Sequence, residues 1–252
     1  MSKNPKPLAA MPQKISFVIL PRFNMATLVT LIEPLRIANY LTPTPLFQWQ
    51  ILSPDAPEVA ASNGLTLAAA PLDTANRRGD LVFVLASWGA EHYDNRDLLA
   101  WIRRQARDGA RVCPVELGCY PVARAGLLTG RQVACHWSWA PGFQEQFPDV
   151  TVTEDLFTLN DNPSCAGGLG GVDLMLHLIA AAHGDTLAGE IADQMLYHPI
   201  RPAKAPQRRT LDEGIAGLSP LMRQAITLIE NSISDPLSVP DLAAALGLSQ
   251  RQ

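Results

Sequence analysis

The chain has 252 residues, 47% of them hydrophobic, and a formal net charge of −4 from 20 Lys and Arg against 24 Asp and Glu. Length and apolar content suit one large domain or a domain with a partner module. The charge balance excludes a whole-chain basic footprint for nucleic acid, so any contact with DNA must come from a local element.

Taken in chain order, residues 15–20 form an unbroken apolar and β-branched run closed by Pro21, the signature of a buried strand. Asn24 can cap a following helix in which Met25, Leu28, Leu31, Ile32 and Leu35 recur at helical spacing. Residues 47–52 and 81–85 are further strands, the second apolar on both faces. A helix is expected over 94–106, a strand over 111–115 and a helix over 121–128. Residues 133–136 read as a strand and 140–146 as a helix. Short strands are expected near 150–153 and 156–159, then helices over 171–182 and 186–196. Apolar strands alternating with amphipathic helices argue for an α/β fold with a mainly parallel sheet covered on both sides.

Composition changes after His198. Pro199, Pro202 and Pro206 fall among Arg201, Lys204, Arg208 and Arg209, so a first domain over 1–198 is expected to end in a linker over 199–217. A small all-α part then occupies 218–252, with a helix over 218–232. Within it, Ser238 can cap a helix, Pro240 suits its first turn and Leu242 and Leu246 give it an apolar face. Ala243 allows close approach of a second helix, Gly247 permits a tight turn and Ser249 can cap the next helix. This is helix-turn-helix patterning, in which the second helix enters the major groove. Such a short pattern also occurs in ordinary helical hairpins.

The four cysteines, Cys113, Cys119, Cys135 and Cys165, form no CxxC pair. Their spacing suits neither a zinc site nor a secreted disulfide framework, so they read as reduced thiols, with no metal and no other cofactor implied. Residues 1–14 lack the apolar stretch of a signal peptide. No apolar run approaches the ~20 residues of a membrane span, so a cytoplasmic protein without a membrane partner is expected.

The phrase from Pro236 to Gln252 resembles the opening of an AraC-type domain. By that resemblance Ser249, Gln250 and Arg251 begin the DNA-reading helix, and the chain ends as that helix starts. From Ser219 onward, Arg223 and Arg251 face Glu230, Asp235 and Asp241. Phosphate neutralisation supplies most DNA affinity, so these 252 residues alone are not expected to bind DNA tightly. Further phrases resemble the GlxA-like regulators, which place a DJ-1/PfpI-type domain before an AraC-type one. They are Phe17 to Pro21 with Glu33 to Asn39, Ser62 to Leu67, Leu98 to Arg104, Ala125 to Arg131, His136-Trp137, Phe147 to Val150, and Cys165 to Gly168 ahead of Asp173 to Ile179. The resemblance implies a three-layer, flavodoxin-like sandwich of the class I glutamine amidotransferase type, a homodimer, and promoter DNA as the full-length protein's partner. The subgroup it resembles senses small amine-bearing metabolites such as glycine betaine, carnitine or arginine.

DJ-1/PfpI-type enzymes carry a nucleophilic cysteine on a sharp strand-to-helix turn. Counting back from Ala125-Gly126-Leu127-Leu128, that position falls on Glu116, with Gly118 matching the family's glycine. A carboxylate is a poor substitute nucleophile for acyl transfer, and Cys119 lies about a turn into the helix. The expectation is therefore a non-catalytic sensor. A cysteine-dependent hydrolase or glyoxalase-like enzyme is the alternative, and a bare dimerisation module is a third reading. An anionic elbow at the carboxyl ends of parallel strands would attract a cationic amine. The candidate ligand-binding residues are Glu116, Leu117, Gly118, His136, Phe23, Trp88, Tyr120 and Trp137. The aromatic rings could add cation–π attraction of about 0.5–2 kcal/mol each. Each aromatic also has a plainer reading as packing, and His136 as a hydrogen-bonded strand-end histidine. Glu33 is a second candidate acid by resemblance; its alternative is a surface pair with Arg36.

Overall fold

The computed structural model describes residues 11–74, 79–208, 218–232 and 235–249. The chain separates into two compact units, Met1–Gln207 and Arg208–Gln252. The first runs β1 (Gln13–Ile19), α1 (Met25–Leu41), β2 (Phe47–Ser53), β3 (Glu58–Ala60), β4 (Thr66–Ala68), β5 (Ala70–Pro71), β6 (Leu81–Ala86), α2 (Arg96–Arg107), β7 (Arg111–Glu116), α3 (Cys119–Arg124), β8 (Gln132–Ala134), α4 (Ala140–Gln146), β9 (Thr151–Thr153), β10 (Phe157–Thr158), β11 (Ser164–Cys165), α5 (Gly170–His183) and α6 (Asp185–Gln194).

The runs that are apolar on both faces become the sheet's centre. The strand order is β10-β11-β7-β6-β1-β2-β5, parallel throughout except for the β10–β11 edge pair. Every residue of β6 is buried, as a central strand covered on both faces requires. One face packs Phe17, Phe83 and Val115 against α1, α5 and α6. The other packs Val82, Val84 and Val112 against α2, α3 and α4. This is the expected three-layer sandwich.

The differences from the sequence reading are local. β3 and β4 form an antiparallel hairpin, and β8 and β9 a separate parallel pair. Strands of two or three residues are too short to show alternation. The helix expected over 121–128 is α3, which ends at Arg124 because Gly126, at φ 78°, turns the chain away.

The linker expected over 199–217 is also corrected in part, because residues 199–207 lie on the first unit. Asp173 is fully buried and needs a counter-charge. Arg201 supplies it: Nε donates to Asp173 Oδ2 at 2.9 Å and the backbone N–H donates to Oδ1 at 2.7 Å. From Arg201 to Gln207 half-buried and exposed residues alternate, and a turn closed by the Ala205 amide on Pro202 O at 2.9 Å interrupts this strap along the unit. Residues 209–217 lie outside the described residues.

In the second unit, α7 (Pro220–Asn231) and α8 (Val239–Ala245) are each capped by a serine: Ser219 Oγ accepts from Met222 N and Ser238 Oγ from Asp241 N. Gly247, at φ 69°, makes the expected turn, and the Leu248 amide returns to Ala243 O at 2.8 Å. Ser249 is the last described residue there; Gln250 and Arg251, assigned to DNA by resemblance, lie outside the described residues. Among the described residues no helix is long and apolar enough to cross a membrane.

Gly118 is the tightest point of the β7–α3 turn. A Cβ there would stand 1.9 Å from the Val84 carbonyl oxygen, which is backbone in a central strand and cannot yield. Gly118→Ala is expected to destabilise the first unit by about 3 kcal/mol or more, measured by urea unfolding. A loss below about 1 kcal/mol would show that the turn can relax.

Candidate functional site at the carboxyl ends of the strands

Glu116 ends β7 and has φ 53°, a left-handed conformation unusual for a residue with a side chain. The turn lifts its carboxylate out of the sheet. Oε1 accepts from Thr27 Oγ1 at 2.5 Å, from Asn24 Nδ2 at 2.8 Å and from the Gly168 amide at 3.3 Å. Two of these donors come from the start of α1. Asn24 serves twice, since its Oδ1 caps that helix at Ala26 N and Thr27 N while its Nδ2 holds Glu116. The third donor comes from the glycine turn before α5. A Cβ on Gly167 would lie 1.9 Å from Glu116 Cγ, so glycine is what lets the two loops meet. Burial pushes the Glu116 carboxyl above its ordinary value; the three hydrogen bonds and nearby His136 oppose that shift.

A cleft of about 200 Å³ opens over this carboxylate, lined by Asn24, Glu116, His136, Trp137, the Ala166–Gly170 turn, Leu156, Arg201 and Gln207. Trp137 is 44% exposed. Its backbone N–H donates to Gln207 Oε1 at 2.8 Å. His136 Nδ1 is 2.8 Å from Ser138 Oγ. Arg201 Nη2 stands 2.7 Å from Asp173 Oδ2 as an ion pair, without the direction of a hydrogen bond. Burial disfavours a charged guanidinium, but Asp173 and Tyr197 more than offset this and raise the Arg201 pKa.

Glu116, His136 and Trp137 are therefore brought together, and the other sequence candidates stand apart. Trp88 is exposed and lines a separate shallow depression with Leu20, Arg22 and Tyr93. Tyr120 is on the buried face of α3, edge-on to Phe143 and Phe147. Phe23 is fully buried in the core. Leu117 is buried, its amide bonded to Ala86 O, and Gly118 shapes the turn. Glu33 pairs with Arg36 at 2.7 Å and does not line the cleft. The sequence reading missed Thr27, Arg201 and Gln207 and knew Asn24 only as a cap. Gly167 and Gly168 were visible as a resembling phrase without a role. A larger depression of about 790 Å³ beside α2 contains none of these residues, and its acids, Asp73, Asp97 and Asp108, are exposed.

All four cysteines are buried and unpaired. Burial raises the thiols of Cys113 and Cys165 to about 12. Burial and neighbouring Cys135, whose sulfur is 3.5 Å away, drive Cys119 well above its ordinary value. The elbow after β7 itself carries no thiol at Glu116 but a buried carboxyl group.

The sandwich with a sharp elbow after a central strand defines the class: a DJ-1/PfpI-like α/β domain. A solved THiJ/PfpI family protein from Pseudomonas syringae matches with TM-score 0.66 at 19% identity, over 82% of this chain and 86% of that one. An AraC family transcriptional regulator from Pseudomonas putida matches with TM-score 0.67 at 28% identity, over 73% of this chain and all of that structure. The chain is 34% identical to the HTH-type transcriptional regulator CdhR of Pseudomonas aeruginosa over 96% of this chain and 72% of CdhR. It is also 34% identical to the regulator GbdR of the same species, over 96% of this chain and 66% of GbdR. No family model matches. The chain belongs to this family of HTH-type transcriptional regulators, GlxA-like proteins in which a DJ-1/PfpI-like domain precedes an AraC-type helix-turn-helix part.

The raised pKa of Glu116 has a stability consequence. A carboxyl whose folded pKa lies above its unfolded one contributes stability below the unfolded value, and that stability is lost as pH rises through the folded value. Glu116→Gln should therefore melt higher than wild type near neutral pH. The gap should close below about pH 4, where the wild-type carboxyl is protonated in both states. A pH-independent gap in calorimetric melting temperatures would contradict the desolvation of this carboxylate.

Proposed function

We propose that the protein is a DNA-binding transcription regulator whose first unit is a non-catalytic sensor of a small, cationic amine metabolite. The observation that carries this reading is Glu116, an acid held in strained backbone at the floor of a cleft that also contains Trp137. A cation entering the cleft replaces lost water with a charge partner for the desolvated carboxylate, and the indole can add cation–π attraction. The volume is below the ~300–1,000 Å³ typical of drug-sized pockets, which favours a ligand of few heavy atoms. Of the aromatic candidates, Trp137 has the placement this role needs.

The hydrolase or glyoxalase-like alternative needs an accessible thiolate, and the buried, high-pKa cysteines argue against one. Promoter DNA is the partner of the helix-turn-helix part in this reading, and a homodimer is its assembly. Ligand binding acts on DNA only through differential affinity for two states of the protein.

Isothermal titration with glycine betaine and L-arginine tests the sensor reading. One of them should bind the wild type, and Glu116→Ala should weaken it about 10–100-fold, as expected for losing a charge-assisted contact. Because the ionised form does the binding, wild-type affinity should also fall as pH drops through the raised Glu116 pKa. Equal binding by wild type and Glu116→Ala would remove Glu116 from the site. Rapid labelling of one native cysteine by iodoacetamide would instead favour the enzyme.

A further inference from the structure

Gln207 is the last residue of the first unit, and the chain continues into the second at Arg208. It is also part of the cleft wall, along with Trp137 and Glu116. Its side-chain amide is fully engaged: Nε2 donates to Cys135 O and to Asp155 O, both at 2.9 Å, and Oε1 accepts from Trp137 N at 2.8 Å. Two carbonyls can only accept and a backbone N–H can only donate, so a single orientation of the amide satisfies all three. The clasp joins the segment after β8 to the segment before β10, and the strap 199–207 ends in it. The same strap meets the unit through the Asp155–Pro206 bridge and through the Leu156 amide, which donates to Ala203 O at 3.0 Å. At its other end Arg201 reaches the cleft from the buried Asp173 pair.

We propose that Gln207 is the positioning residue that couples occupancy of the cleft to the anchoring of strap 199–207, where the chain leaves the first unit. The inference rests on the sensor reading above. An occupant between Glu116 and Trp137 lies against the backbone that Gln207 holds. Any ligand that prefers the clasped arrangement of residues 135–137 therefore tightens the strap, and the tightened strap favours the ligand by the same factor. The Glu116 end of the cleft has its own supports, Asn24, Thr27 and Gly168, and does not depend on Gln207. The two ends are thus separable by mutation.

Amide hydrogen exchange on the whole 252-residue chain tests this in two arms. Without ligand, Gln207→Ala should speed exchange at the Trp137 and Leu156 amides about tenfold, the loss of one buried clasp. Gln207→Glu keeps an acceptor for Trp137 N–H but sets a carboxylate against two carbonyls, so it too should speed exchange at Leu156. With glycine betaine or L-arginine present, wild type should slow at both Gly168 and Leu156. Gln207→Ala should still slow at Gly168 while Leu156 no longer responds, a split that a merely structural role would not produce.

Wild-type exchange at Leu156 in ligand-free Gln207→Ala would overturn the proposal. So would undiminished ligand protection of Leu156 in that variant. If neither probe protects Gly168 in wild type, the sensor reading fails for these ligands. The clasp is then decided by the ligand-free arm alone.

Discussion

At Glu116 the backbone leaves β7 at φ 53°, and the arrangement of the cleft depends on holding it there. A side chain in the left-handed region costs about 1–3 kcal/mol and persists only where its surroundings over-determine it. Here they do. Gly118 lets the turn press against Val84, Gly167 leaves room for the Glu116 side chain, and three donors converge on one carboxylate oxygen. Strain and desolvation both oppose folding at this residue. Neither is relieved by a charge partner, since among the described residues no ion pair reaches Glu116.

A thiol on such an elbow can be activated as a nucleophile; the carboxylate found here suits the recognition role proposed above. An acid held by neutral donors keeps its charge available, whereas an acid paired with arginine would not. Asp173 shows the contrast within one domain. It is fully buried, but Arg201, Tyr197 and a backbone N–H satisfy it, so its charge is spent on fastening the strap. Among the described residues the cleft thus has a floor acid without an ion pair and a wall cation, Arg201, already engaged by Asp173.

Much of this was legible in the residues. Strands apolar on both faces announced a covered parallel sheet, and the spacing back from Ala125-Gly126 located the elbow at Glu116. Ser238, Pro240 and Gly247 marked the cap, first turn and stop of α8. The aromatic candidates were less legible, because Phe23, Trp88, Tyr120 and Trp137 all sit near strand ends in sequence. Only the direction of the side chain separates core from cleft. Asn24 read correctly as a helix cap, but its second hydrogen bond spans 92 positions and leaves no local pattern. Arg201 and Gln207 were concealed by prolines that signalled a linker. Proline bars a ladder N–H, but it does not bar a strap held by side-chain bonds and by its own carbonyls.

The proposed sensor role requires Glu116 to be a desolvated acid, held by neutral donors, that a cationic ligand can pair with. Carbon-13 NMR of the glutamate side-chain carboxyls, with Glu116 assigned by substitution, measures this directly. Its titration should lie above the ordinary glutamate value in the free protein and move downward when a cationic amine saturates the cleft. An ordinary titration in the free protein, unmoved by any amine, would contradict it.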